Sequence, residues 1–390
     1  MLQTDLDLLI LGGGCAGLSL AIRLAEASGR CRRVTVIEER ADYISDRSWC
    51  FWRLGPHRFE PLVARSWSRV AVRSASQAVT ADCARTPYQL LQAGAFYDYA
   101  RHVIAGSDAV RLETGVSVTG IPVAVAGGWR VETSTGVLTA AQVIDTRPPG
   151  LPRSGNSTLW QSFFGQELVC EQPVFDATCV ELMDFTDAVP GAVAFTYVLP
   201  LAPDRALIET TLFDPHPRGP SDLAELQRRA VERLCGDVPT RVVRTEAGIL
   251  PMGMARDPGS RDPPGRGYLR AGLMSGAARP ATGYAFQRIQ HWADVCTEAL
   301  RCGQMPRGHK SDPLLTRMMD RLFLDVLRNQ PERGAELFLR LFGGTDMRRI
   351  VRFLSDRGTL LDRAAIVASL PPGLFLRQLL RPPQRDLAGA

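Results

Sequence analysis

The chain has 390 residues, of which 45% are hydrophobic and 22% are charged, a composition typical of globular proteins. This length predicts two domains or one elaborated domain, and it excludes a disordered, collagen-like or small disulfide-stabilised protein. The net charge of +5, from 46 basic and 41 acidic residues, is too small to indicate nucleic-acid binding.

The first elements form a strand–turn–helix–strand unit typical of dinucleotide-binding domains. Residues 7–11 predict a buried parallel strand, and Gly12, Gly14 and Gly17 form a G-x-G-x-x-G turn that opens a helix. The glycines permit a tight turn, a close approach of the backbone to a pyrophosphate, and close helix packing. Glu38 ends the next strand, where it can accept hydrogen bonds from ribose hydroxyls. The unit predicts FAD or NAD and does not separate them.

Strands dominate the middle of the chain. Two-residue alternation and turn residues predict strands and helices in the following order: strands at 109–120, 128–139 and 141–145, a hairpin of 195–199 and 206–212, a helix at 221–234, a strand at 267–272 and a helix at 285–301.

Nine scattered cysteines without a C-x-x-C pair favour a reduced cytoplasmic protein, and the five histidines have no metal-binding spacing. We therefore expect no metal site.

The predicted hairpin carries one candidate catalytic acid. Alternation places Leu207, Glu209 and Thr211 on one face of a strand, while Phe195 and Tyr197 share a face of the neighbouring strand. A carboxyl group can therefore project beside aromatic rings. Most strand glutamates face solvent, however, so the spacing alone favours an exposed acid.

Unusual segments are spread along nearly the whole chain: 47–51 (RSWCF), 160–167 (WQSFFGQE), 183–184 (MD), 195–201 with 207–211, 248–251 (GILP) and 280–284 (PATGY). In order and spacing these segments resemble the bacterial lycopene β-cyclases, flavoproteins of carotenoid biosynthesis. Two departures stand out. Arg147 follows a strand where the family has an Asp-Gly-Arg-Gly-like turn, and 271–273 reads Ala-Gly-Leu where related flavoproteins have Gly-Asp.

The resemblance implies an α/β protein with the Rossmann-like FAD-binding fold of the hydroxylase and geranylgeranyl-reductase type. It would contain a β-sheet substrate domain and a helical C-terminal region. We place a discontinuous FAD-binding domain at 1–45, 96–150 and 246–302, a substrate-binding domain at 46–95 and 151–245, and a helical, membrane-associating region at 303–390.

The implied activity is the redox-neutral, acid-catalysed cyclisation of lycopene through γ-carotene to β-carotene. The family uses reduced FAD, with NAD(P)H as the electron source. Glu209 would be the acid or an essential cation stabiliser. The alternatives are an FAD-dependent monooxygenase or a prenyl or carotenoid reductase on the same fold, a non-catalytic flavin carrier at the membrane, and an ε-cyclase.

The resemblance also suggests binding residues. For the cofactor they are Gly12, Gly14, Gly17, Glu38, Gly276, Pro280, Thr282, Gly283 and Tyr284. For the substrate pocket they are Trp49, Phe51, Phe195 and Tyr197. Core packing is an equally good interpretation of Trp49 and Phe51.

The C-terminal fifth predicts a surface for membrane lipid. One apolar stripe at helical spacing contains Leu314, Leu315, Met318, Met319, Leu322, Phe323 and Val326. The predicted polar side contains Arg317, Asp320, Arg321, Asp325 and Arg328. Residues 374–381 add further leucines and arginines. No apolar run reaches the ~18 residues of a membrane span, so we expect a cytoplasmic protein peripheral to the inner face of the membrane. A helical cap on the core is the alternative.

Overall fold

A computed structural model describes residues 5–27, 33–148, 158–253 and 265–381. Within these ranges the strands are β1 Leu6–Leu11, β2 Val34–Glu38, β3 Ser48–Trp52, β4 Val63–Trp67, β5 Arg69–Arg73, β6 Ala78–Asp82, β7 Tyr88–Gln92, β8 Val110–Thr114, β9 Val123–Val125, β10 Gly128–Thr133, β11 Gly136–Asp145, β12 Leu159–Cys170, β13 Cys179–Asp184, β14 Val193–Ala202, β15 Arg205–Asp214, β16 Thr240–Met252 and β17 Tyr268–Arg270. The helices are α1 Cys15–Glu26, α2 Ala93–Ala105, α3 Pro220–Cys235, α4 Phe286–Arg301, α5 Leu314–Asn329, α6 Gly334–Gly343, α7 Met347–Leu354, α8 Leu360–Ser369 and α9 Pro372–Leu379. Short 3₁₀ turns lie at Glu60–Leu62, Leu273–Ser275 and Pro331–Arg333.

The first sheet is mainly parallel and carries the N-terminal glycine turn. Its strand order is β8-β2-β1-β11-β10-β9, and β17 lies beside β11. β1 is parallel to β2 and β11, whereas β9, β10 and β11 pair in the antiparallel direction. β2 is buried along its whole length, as its apolar residues Val34, Val36 and Ile37 allow. α1 follows the carboxyl end of β1, which is the edge where ligands bind in sheets of this kind.

The second sheet is mainly antiparallel and has the order β16-β12-β15-β14-β13-β5-β6. β12 pairs with β15 on one side and with β16 on the other. α3 packs on one face, over β12 and β15. On the opposite face, Phe195, Leu207 and Phe213 belong to one hydrophobic core with Leu337 and Ile350 of the C-terminal helices. The predicted hairpin is confirmed as β14–β15.

A small sheet, β3-β7-β4, contributes side chains to the cores of both larger sheets. Successive residues of β3 point to opposite faces because side chains alternate along a strand. Phe51 therefore packs in the core around α1, α2 and α4, whereas Trp52 packs in the core of the second sheet, together with Tyr88. This strand thus connects the two halves of the molecule.

The α/β class is confirmed, but one strand was divided wrongly. The sequence pattern predicted separate strands at 128–139 and 141–145. Instead, β10 ends at Thr133, a turn follows, and β11 runs unbroken from Gly136 to Asp145. The turn needs glycine at 136, whose φ is +138°. Among the described helices, none combines the length and the apolar character needed to cross a bilayer.

The prediction that Asp320 lies on the polar side of α5 is wrong. Asp320 is buried and accepts hydrogen bonds from Nε and Nη2 of Arg279, at 3.1 and 3.0 Å. The Arg279 guanidinium also donates to the carbonyl of Phe353 and lies over its ring, 4.3 Å from the centroid. α5 therefore turns Asp320 and Leu324 inward, and it leaves Leu314 exposed.

The apolar residues of α9 also divide into two groups. Leu374 is buried and Phe375 packs against the core, so these two side chains hold the helix in place. Leu376, Leu379 and Leu380 are exposed, with 57%, 65% and 84% of their surface accessible. The apolar surface predicted at 374–381 is therefore narrower than the sequence indicates.

Candidate active site

The glycine turn between β1 and α1 leaves room for a ligand. Gly12 has a φ of +95°, in the left-handed region that favours glycine. A Cβ on Gly17 would overlap the carbonyl oxygen of Gly12, whereas a Cβ on Gly14 would meet no atom within 4 Å. α1 begins at Cys15 without a capping side chain. The N–H groups of its first turn are therefore available to an anion.

Glu38, the last residue of β2, lies beside this turn. Its carboxylate accepts hydrogen bonds from the N–H of Gly13 at 2.7 Å and from the N–H and Nε of Arg40 at 3.0 and 2.7 Å. Burial acts to raise the pKa of Glu38, but the hydrogen bonds from Arg40 outweigh it and hold the pKa below its ordinary value. Glu38 is thus an anion at the edge where an adenosine ribose binds in dinucleotide folds.

A second glycine-rich segment follows β17 and meets the first turn. A Cβ on Gly272 would lie 3.3 Å from the carbonyl oxygen of Thr146 and 3.4 Å from the Cβ of Ala16, in the first turn of α1. The φ values of Gly276 and Gly283, +102° and +68°, are also in the left-handed region. The backbone therefore passes close to the start of α1 and then turns sharply twice.

The turn at the end of this segment is closed by its own hydrogen bonds. The N–H of Gly283 donates to the carbonyl of Arg279 at 2.9 Å, and Oγ1 of Thr282 accepts from the N–H of Tyr284 at 3.3 Å. The carbonyl of Pro280 accepts a hydrogen bond from the N–H of Gly253, the residue after β16, at 3.2 Å. The turn is therefore fastened to the second sheet.

One buried polar atom beside this turn has no partner in the described part of the chain. Oε1 of Gln161 accepts no hydrogen bond there, and it lies 3.2 Å from the position that a Cβ on Gly283 would occupy. An unsatisfied buried acceptor costs about 1–3 kcal/mol. A ligand that brings a donor to this position would remove that cost.

Two glutamates flank Gly165 on the face of the second sheet that is opposite α3. Gly165 pairs with Glu209 across β12 and β15 and with Glu246 across β12 and β16. A Cβ on Gly165 would lie 3.1 Å from the Cβ of Glu209 and 3.3 Å from the Cγ of Glu246. The missing side chain lets the two acids approach closely enough for their carboxyl groups to interact.

Glu209 lies among aromatic side chains. It is half-buried, it is paired with Tyr197 across β14 and β15, and the ring of Phe195 lies 5.2 Å from that of Tyr197. Oγ1 of Thr211 donates to Oε1 of Glu209 at 3.4 Å. Burial, and after it the neighbouring Glu246, raise the pKa of Glu209 well above its ordinary value. These surroundings favour the protonated form of Glu209.

Glu246 is the member of the pair that is bonded to an arginine. Its Oε2 accepts hydrogen bonds from Oγ of Ser48 at 2.9 Å and from Nη1 of Arg244. Nη2 of the same arginine donates to Oγ of Ser48 at 2.9 Å, and Nε donates to Glu167 at 3.1 Å. Glu167 also accepts from Nε of Arg205 at 2.7 Å.

The charges of this cluster balance when one acid is neutral. We call the three carboxyl groups and two guanidinium groups the acid cluster; its members are Glu167, Glu209, Glu246, Arg205 and Arg244. One proton on Glu209 gives a net charge of zero. A buried, uncompensated charge is costly, so the proton on Glu209 is favoured.

The predicted pocket aromatics do not all meet the acid. Phe195 and Tyr197 lie on its face of the sheet, but Trp49 and Phe51 pack on the other side of β3. Their rings stack on Phe286, with ring centroids 5.4 Å apart for Trp49 and 4.9 Å apart for Phe51. The intervening Cys50 points the opposite way and packs against the core of the second sheet.

Sequence reasoning missed Glu246 and Arg244. A signal was available: the alternation of Arg244, Glu246, Gly248 and Leu250 leads directly into the segment 248–251, which did attract attention. Alternation places these residues on one face of a strand. It does not place that strand next to β12.

A model of the family described as "Lycopene cyclase protein" matches residues 7–379, nearly the whole chain. The chain belongs to the lycopene cyclase family. This membership confirms the resemblance carried by the segments at 47–51, 160–167 and 280–284.

Two relatives in this lycopene cyclase family match along almost their full length. The lycopene beta-cyclase of Pseudescherichia vulneris is 27% identical over 381 residues, which cover 94% of each chain. That of Paracoccus sp. is 27% identical over 413 residues, which cover 98% of each chain.

Solved structures place the lycopene cyclase chain in a known fold. A geranylgeranyl bacteriochlorophyll reductase-like protein of Thermoplasma acidophilum matches with a TM-score of 0.60 and 13% identity, over 95% of this chain and 98% of that one. The flavin-dependent monooxygenase PieE, solved with FAD and substrate, matches with a TM-score of 0.61 and 14% identity, over 94% and 72%. The predicted flavoprotein fold, of the hydroxylase and reductase type, is thereby confirmed.

Proposed function

We propose that this chain is a lycopene β-cyclase that closes the ψ-ends of lycopene, through γ-carotene, into the β-rings of β-carotene. The reaction is an isomerisation of the intramolecular lyase type. The observation that carries the proposal is the position of Glu209, which lies half-buried beside aromatic rings and a second carboxyl group, with its pKa raised, in a chain of this family.

The reaction requires a strong acid in a place with little water, because protonation of an alkene carbon creates a tertiary carbocation. Glu209 donates its proton to that carbon. The next double bond along the polyene then attacks the cation and closes the ring, which leaves the positive charge on a ring carbon. Loss of a proton from the carbon beside it forms the ring double bond. The faces of Tyr197 and Phe195 can stabilise the positive charge through their quadrupoles.

The residues of the two glycine turns fit FAD. Gly14 leaves space for a pyrophosphate at the start of α1, Glu38 faces the ribose position, and Oε1 of Gln161 offers an acceptor beside Gly283. When bound, reduced FAD supplies negative charge that stabilises a cation without net electron transfer. We propose NAD(P)H as the source of its electrons.

The proposed cofactor site and acid lie on one face of β12. Gln161 and Gly165 share that face and are four residues apart, a distance of about 13 Å along a strand. We propose Gly276, Pro280, Thr282, Gly283 and Tyr284 as further cofactor contacts. The domain division given above, and pocket roles for Trp49 and Phe51, remain part of the proposal.

We further propose that the protein binds the inner face of the membrane, where its substrates dissolve. The exposed leucines 376, 379 and 380 lie beside Arg377 and Arg381 at the end of α9, and Leu314, Leu315 and Met318 are exposed at the start of α5. Apolar side chains next to arginines suit an interface with anionic lipid.

The test of the proposed function is expression in a lycopene-accumulating host with pigment analysis by mass spectrometry. We expect the wild-type chain to convert lycopene into products of unchanged mass. Glu209→Gln should lower cyclisation roughly 100- to 10,000-fold, as expected for loss of a general acid.

Glu132→Gln, which changes an exposed glutamate of β10, is the matched control and should leave the yield unchanged. Unchanged lycopene with the wild-type chain would contradict the proposal. A product with added oxygen or hydrogen would instead indicate a monooxygenase or a reductase.

A further inference from the structure

We propose that Glu246 is a positioning residue that keeps Glu209 protonated, so that the two carboxyl groups hold one proton between them before and after each cyclisation. This inference rests on the proposed function and adds a residue to its mechanism. It stands on the geometry of three adjacent strands, β15, β12 and β16.

The pairing of the strands brings the two acids together. Both Glu209 and Glu246 are opposite Gly165, which contributes no side chain to separate them. A Cβ at that position would contact both acids within 3.3 Å. Two carboxyl groups this close cannot both ionise without strong repulsion, so one of them retains a proton.

The hydrogen bonds decide which acid keeps the proton. Glu246 accepts from both Ser48 and Arg244, so its charge is compensated. Among the described residues, Glu209 accepts a hydrogen bond only from the hydroxyl of Thr211, besides its contact with Glu246. The negative charge therefore resides on Glu246 and the proton on Glu209.

The acid cluster is also connected to solvent. Glu167, Arg205 and Arg244 line an open cleft of about 600 Å³, together with Gln92 and Asp46. Neither Glu246 nor Glu209 lines this cleft. Arg244 lines it and bonds Glu246, so the arginine connects the pair to the solvent-facing part of the cluster while it compensates the charge of Glu246.

The proton balance closes within the pair. The O–H bond of Glu209 breaks as a C–H bond forms on the substrate, and the electron pair stays on the carboxylate. After ring closure, a C–H bond next to the cation breaks, its electrons form the ring double bond, and its proton returns to Glu209. Nothing is oxidised or reduced, and the pair again holds one proton.

Several other titratable groups surround the pair. Cys50 on β3, Tyr197 on β14 and Arg244 on β16 adjoin it, Glu167 on β12 is bonded to Arg244, and Tyr88 on β7 and Tyr284 lie next to Cys50. Burial raises the pKa of Cys50, Tyr88, Tyr197 and Tyr284, so all four are neutral at physiological pH. Arg244 and Glu167 are therefore the neighbouring charges.

The test compares the pH profile of cyclisation in wild type, Glu246→Gln and Glu246→Asp. The glutamine removes the neighbouring negative charge and frees Arg244 to attract Glu209, so Glu209 should lose its proton at lower pH. We expect the alkaline limb of activity to move down by at least about one pH unit. The aspartate retains the charge and should restore much of the profile.

Asp214→Asn is the matched control, because Asp214 is a buried carboxylate on the same strand as Glu209 and is paired with Arg218. It should lower stability without moving the limb. A uniform loss of activity in Glu246→Gln, with the limb unmoved, would assign this residue a structural role and overturn the inference.

A measurement without turnover separates this inference from the proposed function. Infrared difference spectra of the full-length chain should contain a protonated-carboxyl band that is absent in Glu209→Gln. In Glu246→Gln the band should titrate away at lower pH than in wild type. If the band titrates as expected but no cyclic product forms, the proposed function is contradicted and the proton-sharing pair is supported. If the wild type cyclises lycopene and Glu246→Gln leaves the band unchanged, the role given to Glu246 is contradicted and the proposed function is not.

Discussion

At the scale of single residues, Gly165 determines how close two acids come. The glycine is not needed for backbone conformation, since its φ is not in the left-handed region. It is needed for space, because the positions next to a Cβ there are filled by Glu209 and Glu246. The same residue thus permits the close approach that makes one carboxyl group a proton donor.

Gly165→Ala should therefore impair catalysis more than stability. The added methyl group would press on the Cβ of Glu209, which has to shift by a few tenths of an ångström. Overpacking of this kind costs about 1–3 kcal/mol, and the separated acids should lose most cyclase activity. Thermal unfolding and product yield check this.

Gly55→Ala is the control for this change, because a Cβ at position 55 meets no atom within 4 Å. Full activity in Gly165→Ala would contradict the role given to the glycine.

At the scale of elements, local pattern predicted much of the fold and half of the acid pair. Alternation placed Glu209 on the face that it shares with Phe195 and Tyr197, because those strands form a hairpin that is adjacent in sequence. The role of Glu246 was not predicted, because it depends on the pairing of β16 with β12, and a sequence pattern does not give the order of distant strands. Helical periodicity found α5 but misplaced Asp320, whose partner Arg279 is 41 residues away.

The end of α9 should bind lipid if the proposed membrane association is correct. Leu379→Glu combined with Leu380→Glu removes two exposed leucines, each worth about 1.5–3 kcal/mol when buried. We expect at least about tenfold weaker co-sedimentation with anionic vesicles.

The matched control for the lipid experiment is Ile121→Glu with Val123→Glu, which changes exposed apolar residues outside the C-terminal region. Equal binding by both double variants, or no binding by the wild type, would contradict the proposal.

At the scale of the whole molecule, the C-terminal region supports the second glycine segment. Arg279 of that segment is bound by Asp320 of α5 and by the carbonyl of Phe353 in α7. His309, in the chain between α4 and α5, accepts the N–H of Gly272 on its Nε2 at 3.0 Å. Removing the C-terminal helices would therefore disturb the proposed cofactor site as well as the core.

His309 should make stability depend on pH. Burial, and after it the charge of Arg288, lower the pKa of His309 to about 4 from 6.5. The unfolded chain takes up this proton below pH 6.5 and the folded chain does not, so stability is full above 6.5 and falls as the pH drops towards 4.

Between pH 7 and pH 5 the wild type should lose roughly 2 kcal/mol of unfolding free energy that His309→Gln does not lose. Glutamine can still accept the N–H of Gly272 but does not titrate. Urea unfolding at the two pH values measures the difference, with the exposed His216→Gln as control. Equal losses in wild type and His309→Gln would exclude this histidine as the cause.

β16 is an edge strand of its sheet, so a shift in its pairing with β12 would change which residue lies opposite Gly165. A shift of two residues preserves the inward and outward faces of a strand, yet here it would bring Arg244 or Gly248 opposite Gly165. The irregularity in pairing between Glu167 and Leu168 breaks the repeat and locks the alignment. This bulge, two residues along β12 from Gly165, thus preserves the strand alignment on which the acidity of Glu209 depends.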